Sequence, residues 1–291
     1  MLTQLSDQIA DVVNSAAASV VQVHGHRPPA SGVIYDSDLV LTTARAVGRE
    51  EHPRVQRSDG QTFAADIAGW DPATRLLLLR APDLGGSPLS PGAQPRVGHI
   101  AIAIARSWSN SVTATVGLIS VIGGPLATGR HRHIDQVFRT SAPMHEGFAG
   151  GAVLDGNGGL LGIATAASIR GLGVVIPASI AWTTATELLK RGTLKRGYLG
   201  ISTQPVNVTV QQRGAGAAEE ALLVVNVKDG TPASQAALLV GDLLLSLDGH
   251  PLTTTDDLFD LLVGERVGRA VTLRLLRGGV PLDVTVTIAE R

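Results

Sequence analysis

Residues 147 to 151 read Gly-Phe-Ala-Gly-Gly and run straight into the apolar stretch GAVLDGNGGLLGIAT, residues 151 to 165. Glycines around one side chain, just ahead of a hairpin, suit a tight bend that presents that side chain at an active site, because glycine adopts backbone conformations closed to other residues. The chemistry served by such a bend is nucleophilic, yet the residue presented is Ala149, whose methyl group cannot attack anything. His24 with His26, and His131 with His133, are i, i+2 pairs that share one face of a strand. Neither pair has a third ligand nearby in sequence, so they read as surface histidines and no metal site is expected. Gly156 to Gly159, in DGNGG, lies between two apolar runs and reads as a hairpin turn, not a phosphate cradle. The absence of cysteine removes disulfides, a thiolate nucleophile and thiolate-held metals, and suits either redox compartment. No cofactor is expected.

The elements that would hold such a bend are constrained by composition. Of 291 residues 44% are hydrophobic but 3% aromatic, so the core must be Val, Leu, Ile and Ala at close spacing. The 34 Gly and 15 Pro imply many turns and short strands, and the length suggests two domains. Lys and Arg number 24 against 25 Asp and Glu, with no block of like charge, which argues against nucleic acid as a partner. The N-terminal MLTQLSDQIADVVNSAAASVVQV has no positive charge ahead of Arg27 and no clean apolar core, unlike a secretory leader. No uncharged run approaches the roughly 18 to 20 residues that span a bilayer. The chain is expected to be cytoplasmic as given, or extracytoplasmic if a leader or anchor has been removed.

From Ala18 to about Pro177 short β-rich runs alternate with turn residues, among them SVVQVHG, LVLTT, RLLLLRA, HIAIAIA and TVGLISVI. The Pro/Gly-rich residues 82 to 98 split this region into halves of similar length, which predicts two barrels. PASIAWTTATELLKRG then shifts to helical spacing through Ile180, Thr184, Leu188 and Leu189, a linker helix stopped at Gly192. The last 95 or so residues read as a compact α/β unit. One of its helices opens at Thr231-Pro232, the other at Thr254 and Thr255 with Asp256 and Asp257 in its first turn. The predicted domains are 1–192 and 193–291.

SGVIYDSDLVLTTARAV, DPATRLLLLRAP, VTATVGLISVI, GFAGGAVLDGNGGLLGIATA, RGYLGI and TPASQAALLVGDLLLSLDG together resemble the HtrA/Deg family, over roughly residues 15 to 291. The resemblance implies a mostly β fold: a trypsin-like double β-barrel followed by a small α/β PDZ domain. In that family a histidine follows the LTT or LTN run, an aspartate sits in a DPxTDLA-like segment, and a serine lies in GNSGG or GFSGG. The matching positions here hold Arg45, Arg75 and Ala149, at family-like spacings of 30 and 74 residues. An arginine stays protonated up to about pH 12 and has no acceptor, so Arg45 cannot serve as general base. Arg75 adds positive charge where a carboxylate should stabilise an imidazolium. Loss of the nucleophile alone costs about six orders of magnitude in subtilisin. The sequence therefore predicts an inactive homologue; the alternative is an active endopeptidase whose nucleophile has been replaced by Ala149, or one working through Ser141 or His145.

Gly147, Phe148 and Ala149 match the family's oxyanion-hole loop. With Arg45 and Arg75 nearby, their N–H groups suggest an anion or carboxylate pocket; the plainer reading pairs the two arginines with acids such as Glu146 and Asp71. RGYLGI, residues 196 to 201, matches the carboxylate-binding loop of PDZ domains, with Arg196 adding charge and the N–H groups of Tyr198, Leu199, Gly200 and Ile201 cradling a peptide C-terminus. The peptide would lie as an added strand between residues 201 to 204 and the helix carrying DDLFDLL, its end in a pocket of Leu199, Ile201, Leu258 and Leu262; otherwise these leucines are ordinary core. The implied partners are protein C-termini or unfolded segments. By resemblance the chains form trimers through residues 1 to 20, or mixed oligomers with an active relative.

Overall fold

The computed structural model describes residues 2–25, 28–48, 50, 52–129, 132–191, 197–208, 219–262 and 266–290. Contacts divide the chain into two units, Met1–Thr193 and Leu194–Arg291.

The first unit opens with helix α1 (Leu2–Ala16) and a 3-10 turn (Ala17–Ser19). Strands β1 (Val20–His24), β2 (Ala30–Asp36) and β3 (Leu39–Thr43) follow, then the short helix α2 (Ala44–Val47). After these come β4 (Arg54–Gln56), β5 (Thr62–Ala64), β6 (Asp66–Trp70) and β7 (Leu76–Arg80). All seven join one antiparallel sheet in the order β5-β4-β1-β2-β3-β7-β6. Its core is aliphatic, as composition demands. Leu76 to Leu79 are all buried, and burying a leucine side chain contributes about 2 kcal/mol.

After the Pro/Gly-rich divider the chain builds β8 (Ile100–Ser107), β9 (Ser111–Gly123), the hairpin β10 (Leu126–Gly129) and β11 (Arg132–Ile134), and β12 (Val137–Thr140). A 3-10 turn (Glu146–Phe148) precedes β13 (Ala152–Leu154), β14 (Leu160–Ile169) and β15 (Leu172–Pro177). Strands β12-β15-β14-β13-β8-β9 close into a barrel. The halves thus differ: the second closes, whereas the end strands β5 and β6 of the first are not paired with each other. DGNGG is the β13–β14 hairpin turn, with Asp155 Oδ1 accepting from the N–H of Asn157 and Gly159.

Helix α3 (Ala178–Arg191) packs against β6, β7, β14 and β15 inside the first unit, so it is part of that unit and more than a linker. Its buried stripe is Ala181, Ala185 and Leu188; of the residues predicted Leu188 belongs to it, Ile180 and Thr184 are half-buried, and Leu189 faces solvent. Small residues win because the sheet is close: a Cβ on Gly69 would press on Leu188.

The second unit contains β16 (Gly197–Tyr198), β17 (Ile201–Asn207), β18 (Glu220–Val227), the short helix α4 (Pro232–Gln235), β19 (Leu243–Leu247), β20 (His250–Pro251), helix α5 (Thr255–Leu261), β21 (Ala270–Arg277), β22 (Val280–Thr287) and β23 (Ala289–Glu290). Its main sheet runs β17-β18-β19-β21-β22, with β20 paired to β19. Both helices open where the sequence predicts, and both starts are capped. Thr231 caps a helix with Pro at its first turn, and Thr254 forms a reciprocal capping box with Asp257.

Candidate functional site

The bend at Ala149 is a 3-10 turn in which the N–H groups of Gly147, Phe148 and Ala149 are all engaged. His145 is its N-cap, and its Nδ1 accepts from Gly147 N–H at 3.0 Å. The N–H of Phe148 donates to His145 O and that of Ala149 to Glu146 O, both at 3.0 Å. Gly150 follows at φ +82°, where a Cβ would collide with Ser31 O and Thr42 Oγ1, so only glycine lets the loop lie this close to β2 and β3. The loop is fastened to β2 twice: Ser31 N–H donates to Ala149 O at 3.0 Å, and the Ser31 hydroxyl donates to Gly147 O at 2.8 Å. Ala149 itself is buried in the core of the first sheet.

In this arrangement the N–H groups of Gly147 and Ala149 are bonded within the turn. Arg45, on α2, forms an ion pair through Nη2 with Glu146 Oε1, both side chains being exposed. The plainer reading holds for Arg45, which pairs with Glu146. Asp71 turns its carboxylate on Thr74, accepting from its N–H at 2.7 Å and its hydroxyl at 2.6 Å. Arg75 takes a left-handed conformation, φ +58°, and its Nη2 donates to Thr128 O at 3.1 Å on β10. The three positions that the family resemblance identifies as a triad are therefore each tied into separate local contacts.

Around the turn, the His145 ring stacks on Trp108 with centroids 5.3 Å apart and meets the Phe148 ring edge-on at 5.0 Å. Among the described residues no serine or threonine hydroxyl bonds to His145. Ser141, the other alternative nucleophile, holds Leu118 N–H at 3.0 Å through its Oγ. No cluster of three metal-ligating side chains occurs among the described residues. His24 contacts Gln56 and His133 pairs with Asp135, while His26 and His131 lie outside the described residues.

Sequence reasoning gave no role to Arg106. It is 5% exposed, and its guanidinium donates to Val20 O at 2.7 Å, Asn110 O at 2.7 Å and Ala17 O at 2.9 Å. Burial pushes its pKa down from the usual arginine value. One arginine ending an alternating AIAIAR strand carries no sequence signal that would separate it from an exposed one.

In the second unit Gly200 has φ +86°, and a Cβ there would strike Thr231. Its carbonyl accepts from Lys228 N–H at 2.9 Å and that of Leu199 from Ala233 N–H at 2.9 Å, while the N–H groups of Leu199 and Gly200 meet no main-chain acceptor among the described residues. Tyr198 lies in β16, paired to Ala289, and Arg196 lies outside the described residues. Strand β17 is an edge of the sheet, with α5 on its flank. Leu199, Leu258 and Leu262 are closed into the core, and of the four pocket candidates Ile201 alone keeps part of its surface exposed.

A model of the trypsin-like peptidase domain matches residues 30–163 and one of the PDZ domain residues 197–288. The chain is 30% identical over 269 residues to the periplasmic pH-dependent serine endoprotease DegQ of Escherichia coli (strain K12), covering 89% of this chain but 58% of that protein. It is 31% identical over 278 residues to the putative serine protease HhoA of Synechocystis sp. (strain ATCC 27184 / PCC 6803 / Kazusa), covering 89% and 70% of the two chains. Among solved structures, a serine endoprotease from Yersinia pestis superposes with a TM-score of 0.54 at 29% identity, covering 97% of this chain and 98% of that one.

Proposed function

The chain belongs to the HtrA/Deg family, and from that membership we propose that it is a catalytically silent member, a pseudoprotease that binds protein C-termini or unfolded segments as a scaffold, chaperone or regulatory subunit. The observation that carries this reading is the engaged turn at Ala149. A hydrolase of this template needs an attacking oxygen, a base and free oxyanion donors. Here position 149 is a methyl, Arg45 is ion-paired to Glu146, and the N–H groups of Gly147 and Ala149 are bonded inside the loop.

Binding is assigned to the second unit. An open edge on β17, beside a loop whose Leu199 and Gly200 N–H groups lack main-chain acceptors, suits a peptide that adds a strand and ends in a carboxylate. Assembly into trimers, or with an active relative, is assigned to α1. Leu2 and Leu5 are exposed on the same helical side as the buried Val12 and Ala16. Analytical ultracentrifugation of the chain and of Leu5→Asp tests this, and an unchanged sedimentation coefficient removes α1 as the contact.

The test of silence is incubation with casein and with an active-site phosphonate probe. The expected result is neither cleavage nor labelling. Turnover that co-purifies with the chain and is absent from a Gly150→Val preparation made in parallel would end the proposal.

A further inference from the structure

We propose that Pro205 is a length stop on the edge of β17, so that this edge reads the last four residues of a polypeptide and gives no hold to those before them. The stop presupposes the function proposed above, in which the loop at Leu199 and Gly200 cradles a terminal carboxylate, and it sets how much of the chain behind that end is bound.

Backbone pairing fixes which groups of β17 face outward. In an antiparallel ladder, residues alternate between bonding across to the neighbour and turning both N–H and C=O away from it. At one end Lys228 N–H donates to Gly200 O at 2.9 Å, and just past the other Val208 N–H donates to Glu219 O at 2.8 Å, so the even-numbered residues from Gly200 to Val208 bond to the β18 side. The register shift between Ser202 and Thr203 leaves its extra residue, Val225, on β18, and the alternation along β17 is unbroken. Ile201, Thr203, Pro205 and Asn207 therefore turn their main-chain groups to the open edge. Pro205 lies opposite Leu222 with no N–H to give it, and an outward position on an edge strand is where a sheet tolerates proline.

A peptide whose carboxylate sits at the Leu199 and Gly200 N–H groups runs antiparallel to β17. Its last residue faces Ile201, its third from last faces Thr203, and its fifth from last meets Pro205. There the ring stands where an N–H should be. The peptide can donate one N–H to Pro205 O, a gain of about fivefold in affinity, but its own carbonyl is pressed against a methylene without a donor, a loss at least as large. The opposite wall ends at the same distance. Helix α5, seven residues long, spans about 10 Å, which is about three strand steps of roughly 3.4 Å, or four residues.

Isothermal titration calorimetry of the full chain tests this with N-acetylated peptides that carry the last four residues of a sequence recovered from a C-terminal library, alone or preceded by four alanines. On the unmodified chain the two should bind within about twofold of each other, short of the fivefold or so that corresponds to one hydrogen bond. Pro205→Ala supplies the missing N–H at an exposed position, and there the extended peptide should bind at least about fivefold tighter than the short one. Pro205→Val should behave in the same way. The short peptide should bind both variants as it binds the unmodified chain, which also reports that they are folded. A larger gain from the extension on the unmodified chain overturns the stop and leaves the carboxylate cradle standing. So does an extension that gains nothing in a variant that still binds the short peptide. If no library peptide binds the unmodified chain, or if amides bind as well as acids, the cradle itself falls and the stop with it.

Discussion

The Ser31 hydroxyl lies between two main chains: it donates to Gly147 O at 2.8 Å and accepts from Arg106 N–H at 2.8 Å. One side chain of β2 thereby joins the bend at Ala149 to the second barrel, within a buried setting where neither backbone group has water as a substitute. Ser31→Ala leaves a buried carbonyl and a buried N–H unpaired, and the expected loss is about 2 kcal/mol. Urea denaturation measures it. Hydrogen exchange should also show faster opening of residues 146 to 149 than of β14.

Restoring the nucleophile should not restore catalysis. Ala149→Ser returns the oxygen, but Arg45 cannot take its proton and Gly147 and Ala149 keep their N–H groups turned inward. Peptide hydrolysis by this variant should stay at the level of the unmodified chain in a fluorogenic casein assay. Measurable turnover would place the base elsewhere.

Peptide capture should depend on a free C-terminal carboxylate. Peptides identified from a C-terminal library should lose at least about tenfold in affinity on amidation, because charge-assisted bonds to backbone N–H groups are among the stronger ones. Fluorescence anisotropy with the full chain provides the measurement. Equal affinity for acid and amide would shift recognition from the loop at Leu199 and Gly200 to the strand edge alone.

The second unit should weaken in acid through Asp242. Burial alone would raise its pKa, but Arg277, bonded at 2.8 and 2.7 Å, and Leu239 N–H outweigh this and leave it lowered. A carboxyl lowered on folding stabilises above its unfolded value, about 3.9, and that stabilisation is lost as pH falls through the folded value. Asp242→Asn should cost about 2 kcal/mol at neutral pH, less than for a fully buried pair because the Arg277 side chain is 35% exposed. It should also flatten the acid limb. Hydrogen exchange in β19 and β21 reads this unit separately from the first.

Strands and helix starts were legible because they depend on local chemistry: four leucines in a row at Leu76 to Leu79, Thr231 before Pro232, Thr254 and Thr255 before Asp256 and Asp257. The family membership was legible too, since matching segments occur all along the chain. What escaped depends on contacts distant in sequence. From a left-handed backbone the Arg75 guanidinium reaches Thr128 O, 53 positions on, a contact that no local pattern announces. The N–H groups of Gly147 and Ala149 were expected to face a ligand, and only the fold shows them satisfied from within. The α3 stripe was misread except at Leu188, because alanine signals burial weakly where a sheet approaches closely.

Arg106 fixes what can be removed from this chain. Among the described residues no carboxylate neutralises it, and two of its three carbonyl partners, Ala17 and Val20, belong to the first twenty residues. A shortened protein that began beyond Val20 would leave a permanent cation in a dry interior with two of its three acceptors gone. The opening segment is therefore a structural component of the first unit, and cutting it away should loosen the seam on which the bend at Ala149 rests.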